Sequence, residues 1–197
     1  MGTFPWLSFF SYIIIVTYTP GPNNIMTMNI AKNGGFRKSL KFNLGVFSGC
    51  FILMVLCMLF SAFLYNLVPK IQLPMKILGA AYMTFLMFKT LFPKKKDEVF
   101  KSRNNNASFF IGLGLQMINP KGIFYGMTTM SSFILPYFNQ IPVLLLFSLL
   151  LAFTGFTALN AWALFGSLFS ILFVKHGKIL NIIMALLLLY CIVSLFI

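Results

Sequence analysis

This chain of 197 residues is 59% hydrophobic and 9% charged, with a mean hydropathy of +0.92; an ordinary soluble domain, about a quarter charged, is excluded. A formal charge of +13 would suggest nucleic acid in a soluble protein, but the cations stand between apolar runs, so they are read as helix-end charge at a membrane surface, with no nucleic-acid partner. Uncharged stretches cover 1–31, 42–69, 77–88, 104–120, 122–174 and 179–197, and about 20 apolar residues cross the hydrocarbon core.

The first stretch is long enough to cross, yet it holds Thr19-Pro20-Gly21-Pro22-Asn23-Asn24. Proline removes a backbone donor and clashes with the preceding turn, and glycine adds looseness. The freed backbone groups cannot face lipid, so they line protein or a water-filled cavity. The N-terminus lacks a basic n-region and a small-residue cleavage site, so it is read as a retained span rather than a signal peptide. A second helix follows, with Gly45 and Gly49 spaced for close helix approach, then a third before the hydrophilic segment 93–107. The fourth helix is again broken, at Asn119-Pro120-Lys121-Gly122, and Gly122 and Gly126 repeat the small-residue spacing. The 122–174 stretch is too long for one crossing and divides at the turn-forming cluster from Pro136 to Pro142. The expected fold is an all-α integral membrane protein with six transmembrane helices near 5–31, 42–65, 72–92, 108–135, 142–173 and 177–197.

Charge sets the expected orientation. Lys32, Arg37, Lys38 and Lys41 follow the first helix; Lys89, Lys94, Lys95, Lys96, Lys101 and Arg103, with Asp97 and Glu98, follow the third; Lys175 and Lys178 follow the fifth. The other side has Lys70 and Lys76. The positive-inside rule places those three loops in the cytoplasm and both termini outside. The segment 93–107 also divides one transmembrane domain, residues 1–197, into a first half over 1–92 and a second over 108–197. Three crossings per half make the second copy enter from the opposite side. The expectation is a 3+3 inverted repeat with a broken first helix in each half and a site where the breaks meet.

Polar groups inside the spans are costly unless satisfied. Those that stand out are Asn23, Asn24, Asn29, Gln116, Asn119, Lys121 and Asn160. An ionisable residue at membrane depth is a functional candidate; the Lys121 ammonium either binds a carboxylate, alone or with a half-helix N-terminus, or snorkels or ties down broken carbonyls. Asn23 and Asn24 bind ligand or cap the restarted helix, and Asn160 binds ligand or a neighbouring helix. No span contains Asp or Glu, and no GxxxxGK[ST] loop is present, so neither a carboxylate proton relay nor a nucleotide-driven pump is written here. Cys50, Cys57 and Cys191 form no CxxC and no metal-ligand spacing, so they read as small packing residues. No cofactor and no metal is implied.

TPGPNN over 19–24, Gly35-Phe36-Arg37-Lys38-Ser39 and Gly79-Ala80-Ala81-Tyr82 before Lys89 resemble the LysE-type translocator family of lysine and threonine/homoserine exporters. The second half continues the likeness through Gln116 to Lys121, Ala161-Trp162-Ala163-Leu164, Leu180-Asn181-Ile182 and Tyr190-Cys191. Asn23-Asn24 after Pro-Gly-Pro, Gly126 after Tyr125 and the C-terminal run into Tyr190-Cys191 look most like its cysteine and O-acetylserine exporters. The resemblance implies a bacterial inner-membrane secondary transporter, not an enzyme, moving small neutral amino acids out of the cytoplasm. It implies a site of Pro20, Gly21, Pro22, Asn23 and Asn24 facing Asn119, Pro120 and Lys121, with Asn160 a further candidate. Lys121 and a half-helix N-terminus would hold the α-carboxylate, and asparagine or freed carbonyl oxygens the α-ammonium. The expected partners are a small amino acid and the bilayer; a homodimer is a possible assembly that no residue demands. Two competing readings are a membrane thiol–disulfide electron carrier, which needs paired cysteines near the breaks, and a non-transporting assembly factor.

Overall fold

The computed structural model describes residues 3–60 and 108–168 without interruption, and individual helical positions between 77 and 91 and between 179 and 193. The expected loop 93–107, the cations at 70, 76, 89, 175 and 178, and Cys191 lie outside the described residues, as does most of the expected third and sixth helices. Among the described residues the chain is all helical.

The first stretch forms two helices, α1 (Trp6–Tyr18) and α2 (Pro22–Gly34), parted at 19–21. Gly35 then turns the chain at φ 80°, ψ 163°, backbone that side-chain-bearing residues avoid. The next helix, α3 (Phe36–Leu59), begins at Phe36 rather than at the expected 42. Arg37, Lys38 and Lys41 are therefore its first turns and not a loop, because Arg and Lys are good helix formers whose stems lie along apolar surface. The second half begins with α4 (Phe109–Met117), breaks at Ile118-Asn119, and restarts as α5 (Pro120–Thr128). A π-helical turn over Thr129–Ile134 follows. Its cause is local: Thr129 Oγ1 donates to the Tyr125 and Gly126 carbonyls at 2.7 and 3.1 Å, and Ser131 Oγ to Met127 at 2.6 Å. Hydroxyls that take backbone carbonyls bend helices, and Pro136 brings no N–H to the following turn. The long α6 (Ile141–Leu168) returns after the expected turn.

Helices α3 and α6, of 24 and 28 residues, are long and apolar enough to cross a membrane, at about 36 and 42 Å by helical rise. Leu7, Phe110, Ile118 and Leu168 are 84, 77, 72 and 73% exposed, an outward apolar face suited to lipid. In lipid the hydrophobic effect does not drive helices together, so packing and close approach must. The glycines supply it between α3 and α4: a Cβ on Gly45 would lie 1.9 Å from the Phe109 carbonyl oxygen, and one on Gly112 2.2 Å from that of Phe42. At Gly166 of α6 it would meet the Met28 carbonyl at 2.3 Å. The other expected pair behaves differently, since Gly122 and Gly126 abut side chains, Gln116 for one and Met54 and Cys57 for the other.

These contacts set directions. Gly45 lies by Phe109 and Gly49 by Leu113, so α3 and α4 run parallel. Phe4 and Phe9 meet Phe147 at the start of α6, while Met28 of α2 meets Gly166 near its end, so α1–α2 and α6 run together, opposite to α3 and α4–α5. The main core, with Phe9, Ile13, Met54, Met130 and Leu151 fully or almost fully buried, fills the Phe4 end. A smaller cluster of Phe42, Val46 and Leu159 fills the Gly35 end. The two breaks lie between these clusters.

Candidate functional site

A helix end must account for its last four carbonyls. For α1 these are Ile15, Val16, Thr17 and Tyr18, and each finds a donor. The Thr19 amide bonds Ile15 at 3.0 Å and the Thr19 hydroxyl bonds Val16 at 2.9 Å. Asn24 Nδ2 bonds Thr17 at 3.0 Å, and Trp162 Nε1, from α6, bonds Tyr18 at 3.1 Å. The Thr19 carbonyl in turn accepts from Asn24 Nδ2 at 2.9 Å and from Lys121 Nζ at 2.6 Å. The first break is thus tied by its own α2, by α6 and by the second break. Lys121 also places positive charge at the negative end of the α1 dipole.

Both restarted helices begin with proline at the first helical position, Pro22 and Pro120, where the missing N–H costs nothing. They differ at the cap. Asn119 caps α5, its Oδ1 accepting from the Lys121 amide at 3.1 Å, whereas Gly21 heads α2 with no side-chain cap. The self-capping left open as an alternative for Asn23 and Asn24 does not occur: Asn24 reaches back to α1, and Asn23 Nδ2 donates to Gln116 Oε1 at 2.8 Å. Gly21 lets the breaks close up, since a Cβ there would sit 3.0 Å from Lys121 Cδ.

A cavity of about 60 Å³ lies where the breaks meet, room for a few waters. One wall comes from the breaks: Thr17, Gly21, Asn23 and Asn24 from the first, Gln116, Asn119, Lys121 and Gly122 from the second. The opposite wall comes from α3 and α6, with Val46, Phe47, Cys50, Gly155, Phe156 and Leu159, and Tyr125 closes it from α5. Among the described residues of the lining Lys121 is the charged one, and none is a carboxylate. The arrangement offers an ammonium, an uncapped helix N-terminus, three amide side chains besides Asn24, and backbone carbonyls, against an apolar wall. That is a set of groups suited to a zwitterion.

Of the residues singled out in the sequence, Gly21, Asn23, Asn24, Asn119 and Lys121 share this cavity, and Pro20, Pro22 and Pro120 shape the breaks that build it. Asn160 is elsewhere. Its Oδ1 accepts from Asn43 Nδ2 at 3.0 Å, and its Nδ2 donates to the Phe156 carbonyl at 2.9 Å. Thr27 Oγ1 donates to Asn43 Oδ1, so α2, α3 and α6 are joined toward the Gly35 end by a polar chain, buried at Thr27 and Asn43 and half-buried at Asn160. Sequence reasoning passed over Asn43, which sat at the edge of the expected second helix; its signal was an amide inside an apolar run. It named Gln116 as polar in a span without placing it at the site, and gave Thr17 no role.

The sequence profile of LysE type translocators matches residues 14–197. The cysteine/O-acetylserine efflux protein of Salmonella paratyphi A is 38% identical over 189 residues, covering 96% of both chains. The protein of the same name in Escherichia coli K12 is 37% identical over 189 residues, again 96% of both. No solved structure matches this chain significantly. By the span of that profile and the extent of these identities, the chain belongs to the LysE-type translocator family.

Proposed function

We propose that the protein is a secondary transporter exporting small neutral amino acids, of the cysteine/O-acetylserine or homoserine/threonine type, from the bacterial cytoplasm across the inner membrane. The relatives named above support the class of cargo. The observation that carries the site is the meeting of the two breaks at a cavity with Lys121 in its wall. Lys121 and the uncapped N-terminus of α2 take the α-carboxylate, while the carbonyls of the α1 break and the amides of Asn23 and Gln116 take the α-ammonium. Carboxylate binding then competes with the Thr19 carbonyl for the Lys121 ammonium. A cationic substrate would bring unpaired charge beside Lys121, so lysine and arginine are disfavoured.

The finer architecture belongs to the same proposal: an inverted repeat of three helices per half, over 1–92 and 108–197, with both termini periplasmic. It is supported by the opposed directions of α1–α2 and α4–α5, each broken before a proline, and of α3 and α6. The thiol–disulfide alternative gains little. Cys50 lines the cavity, but Cys57 stands two turns along the same helix, about 10 Å of rise away, beyond the reach of a disulfide.

The test is efflux from proteoliposomes loaded with labelled cysteine, O-acetylserine, homoserine, threonine or lysine, with and without an imposed pH gradient. Flux of the small neutral species and not of lysine is expected, and a response to the gradient would show proton coupling. Undiminished efflux from both Lys121→Ala and Asn119→Ala would overturn the site, and no flux of any amino acid would favour the assembly-factor reading.

A further inference from the structure

The cavity has two unlike walls, and that difference orients whatever zwitterion enters it. Charged ends cannot rest against Val46, Phe47, Cys50, Phe156 and Leu159 without losing their hydrogen bonds, so they go to the breaks and the side chain goes to α3 and α6. The Phe47 and Phe156 rings meet at 5.6 Å and 61° on that wall. Tyr125 adds no free hydroxyl to it, because its OH donates to the Leu151 carbonyl at 3.3 Å.

The glycines on the lining differ. A Cβ on Gly21 would meet Lys121 Cδ at 3.0 Å, and one on Gly122 would meet Gln116 Nε2 at 2.4 Å. A Cβ on Gly155 meets no described atom within 4 Å. Glycine inside a helix is less favourable than alanine, and at Gly45, Gly112 and Gly166 a neighbouring backbone explains it. At Gly155 no described neighbour does. What its missing side chain leaves is space on the apolar wall of the cavity.

We infer that Gly155 sets the length of side chain the transporter accepts, the substrate's side chain lying in the space over that residue. The inference rests on the proposed export function and adds to it a specificity-determining position on α6.

Proteoliposomes of wild type, Gly155→Ala and Gly155→Leu are loaded with serine or with O-acetylserine, which share a head group and differ in side-chain length. The ratio of O-acetylserine to serine flux should fall by about tenfold or more for Gly155→Leu, the scale at which a pocket rejects excess bulk, and by less for Gly155→Ala. Alanine favours the helix and its methyl meets no described neighbour, so Gly155→Ala keeps the test open if the leucine variant fails to fold. Gly114→Leu is the control: its Cβ too meets no described atom within 4 Å, but it is not among the described residues of the lining, and the ratio should stay that of wild type. A ratio unchanged in both Gly155 variants, or shifted equally by Gly114→Leu, overturns the inference while leaving the export reading intact. Absence of amino-acid flux from wild type overturns the export reading and this inference with it.

Discussion

Replacing Asn24 tests whether the first break is held together by donors from outside the helix. Asn24 is 7% exposed, and its amide spends both hydrogens on carbonyls that no helical N–H reaches, Thr17 at 3.0 Å and Thr19 at 2.9 Å. Thr19 keeps Lys121 at 2.6 Å after the substitution; Thr17 loses its donor. A hydrogen bond between membrane helices is worth about 0.6 kcal/mol on average, because the alternative arrangement usually finds another partner. Here the break has turned the Gly21 N–H, which would continue the helix, into extended backbone away from Thr17, so the cost approaches that of an orphaned buried carbonyl, about 1–3 kcal/mol. Asn24→Ala opens a space beside the cavity that water can enter to bond Thr17, which places it near 1 kcal/mol, whereas Asn24→Leu fills that space and lies near 3 kcal/mol. For a chain of this size the midpoint of thermal unfolding should fall by about 2–4 °C per kcal/mol. Unfolding in detergent followed by tryptophan fluorescence is well suited, since Trp162 is bonded to the same break at Tyr18. Asn23→Leu is the comparison: it deprives the side chain of Gln116, which can turn to cavity water, and should cost less. If Asn24→Leu melts with wild type, or is milder than Asn23→Leu, the account of the break is wrong.

Further expectations follow from other contacts. Gly112→Ala puts a methyl 2.2 Å from the Phe42 carbonyl; both groups belong to backbones, so α3 and α4 must part by about 1 Å at a cost of about 1–3 kcal/mol, and an unchanged melting point would refute the close approach. Gly35→Ala forces a Cβ onto φ 80°, ψ 163° and should lose about 1–3 kcal/mol in the same assay. Asn43→Ala and Asn160→Ala should be non-additive by about 0.5–3 kcal/mol, since each removes the same bond between α3 and α6; additive losses would mean that the pair is not coupled. Lys121→Met removes a charge-assisted donor worth about 1.5–3 kcal/mol, so KM for export should rise about ten- to hundredfold by the same arithmetic, with Lys121→Arg retaining part of the activity.

The sequence by itself determined the class and the breaks, because both rest on local physics. Apolar length against bilayer thickness needs no partner to be read, and a proline brings no N–H to the interior of a helix, so Pro20-Gly21-Pro22 and Asn119-Pro120, set well inside apolar runs, announce discontinuities. The motifs around them carry the family. The roles of individual side chains were open, since they depend on what faces them across the bundle. Only the tertiary structure brings Lys121 to the Thr19 carbonyl, 102 positions away in the chain, pairs Asn23 with Gln116 rather than with its own helix, and sends Asn160 to Asn43 outside the cavity. The start of α3 at Phe36 was likewise obscured, because charge read as loop is also compatible with a helix whose basic stems run along apolar surface. A small-residue spacing could not say which glycine meets a backbone. Gly45 and Gly155 look alike in sequence; one is packed against Phe109 and the other meets no described atom within 4 Å, and only the arrangement of the helices around them makes that difference.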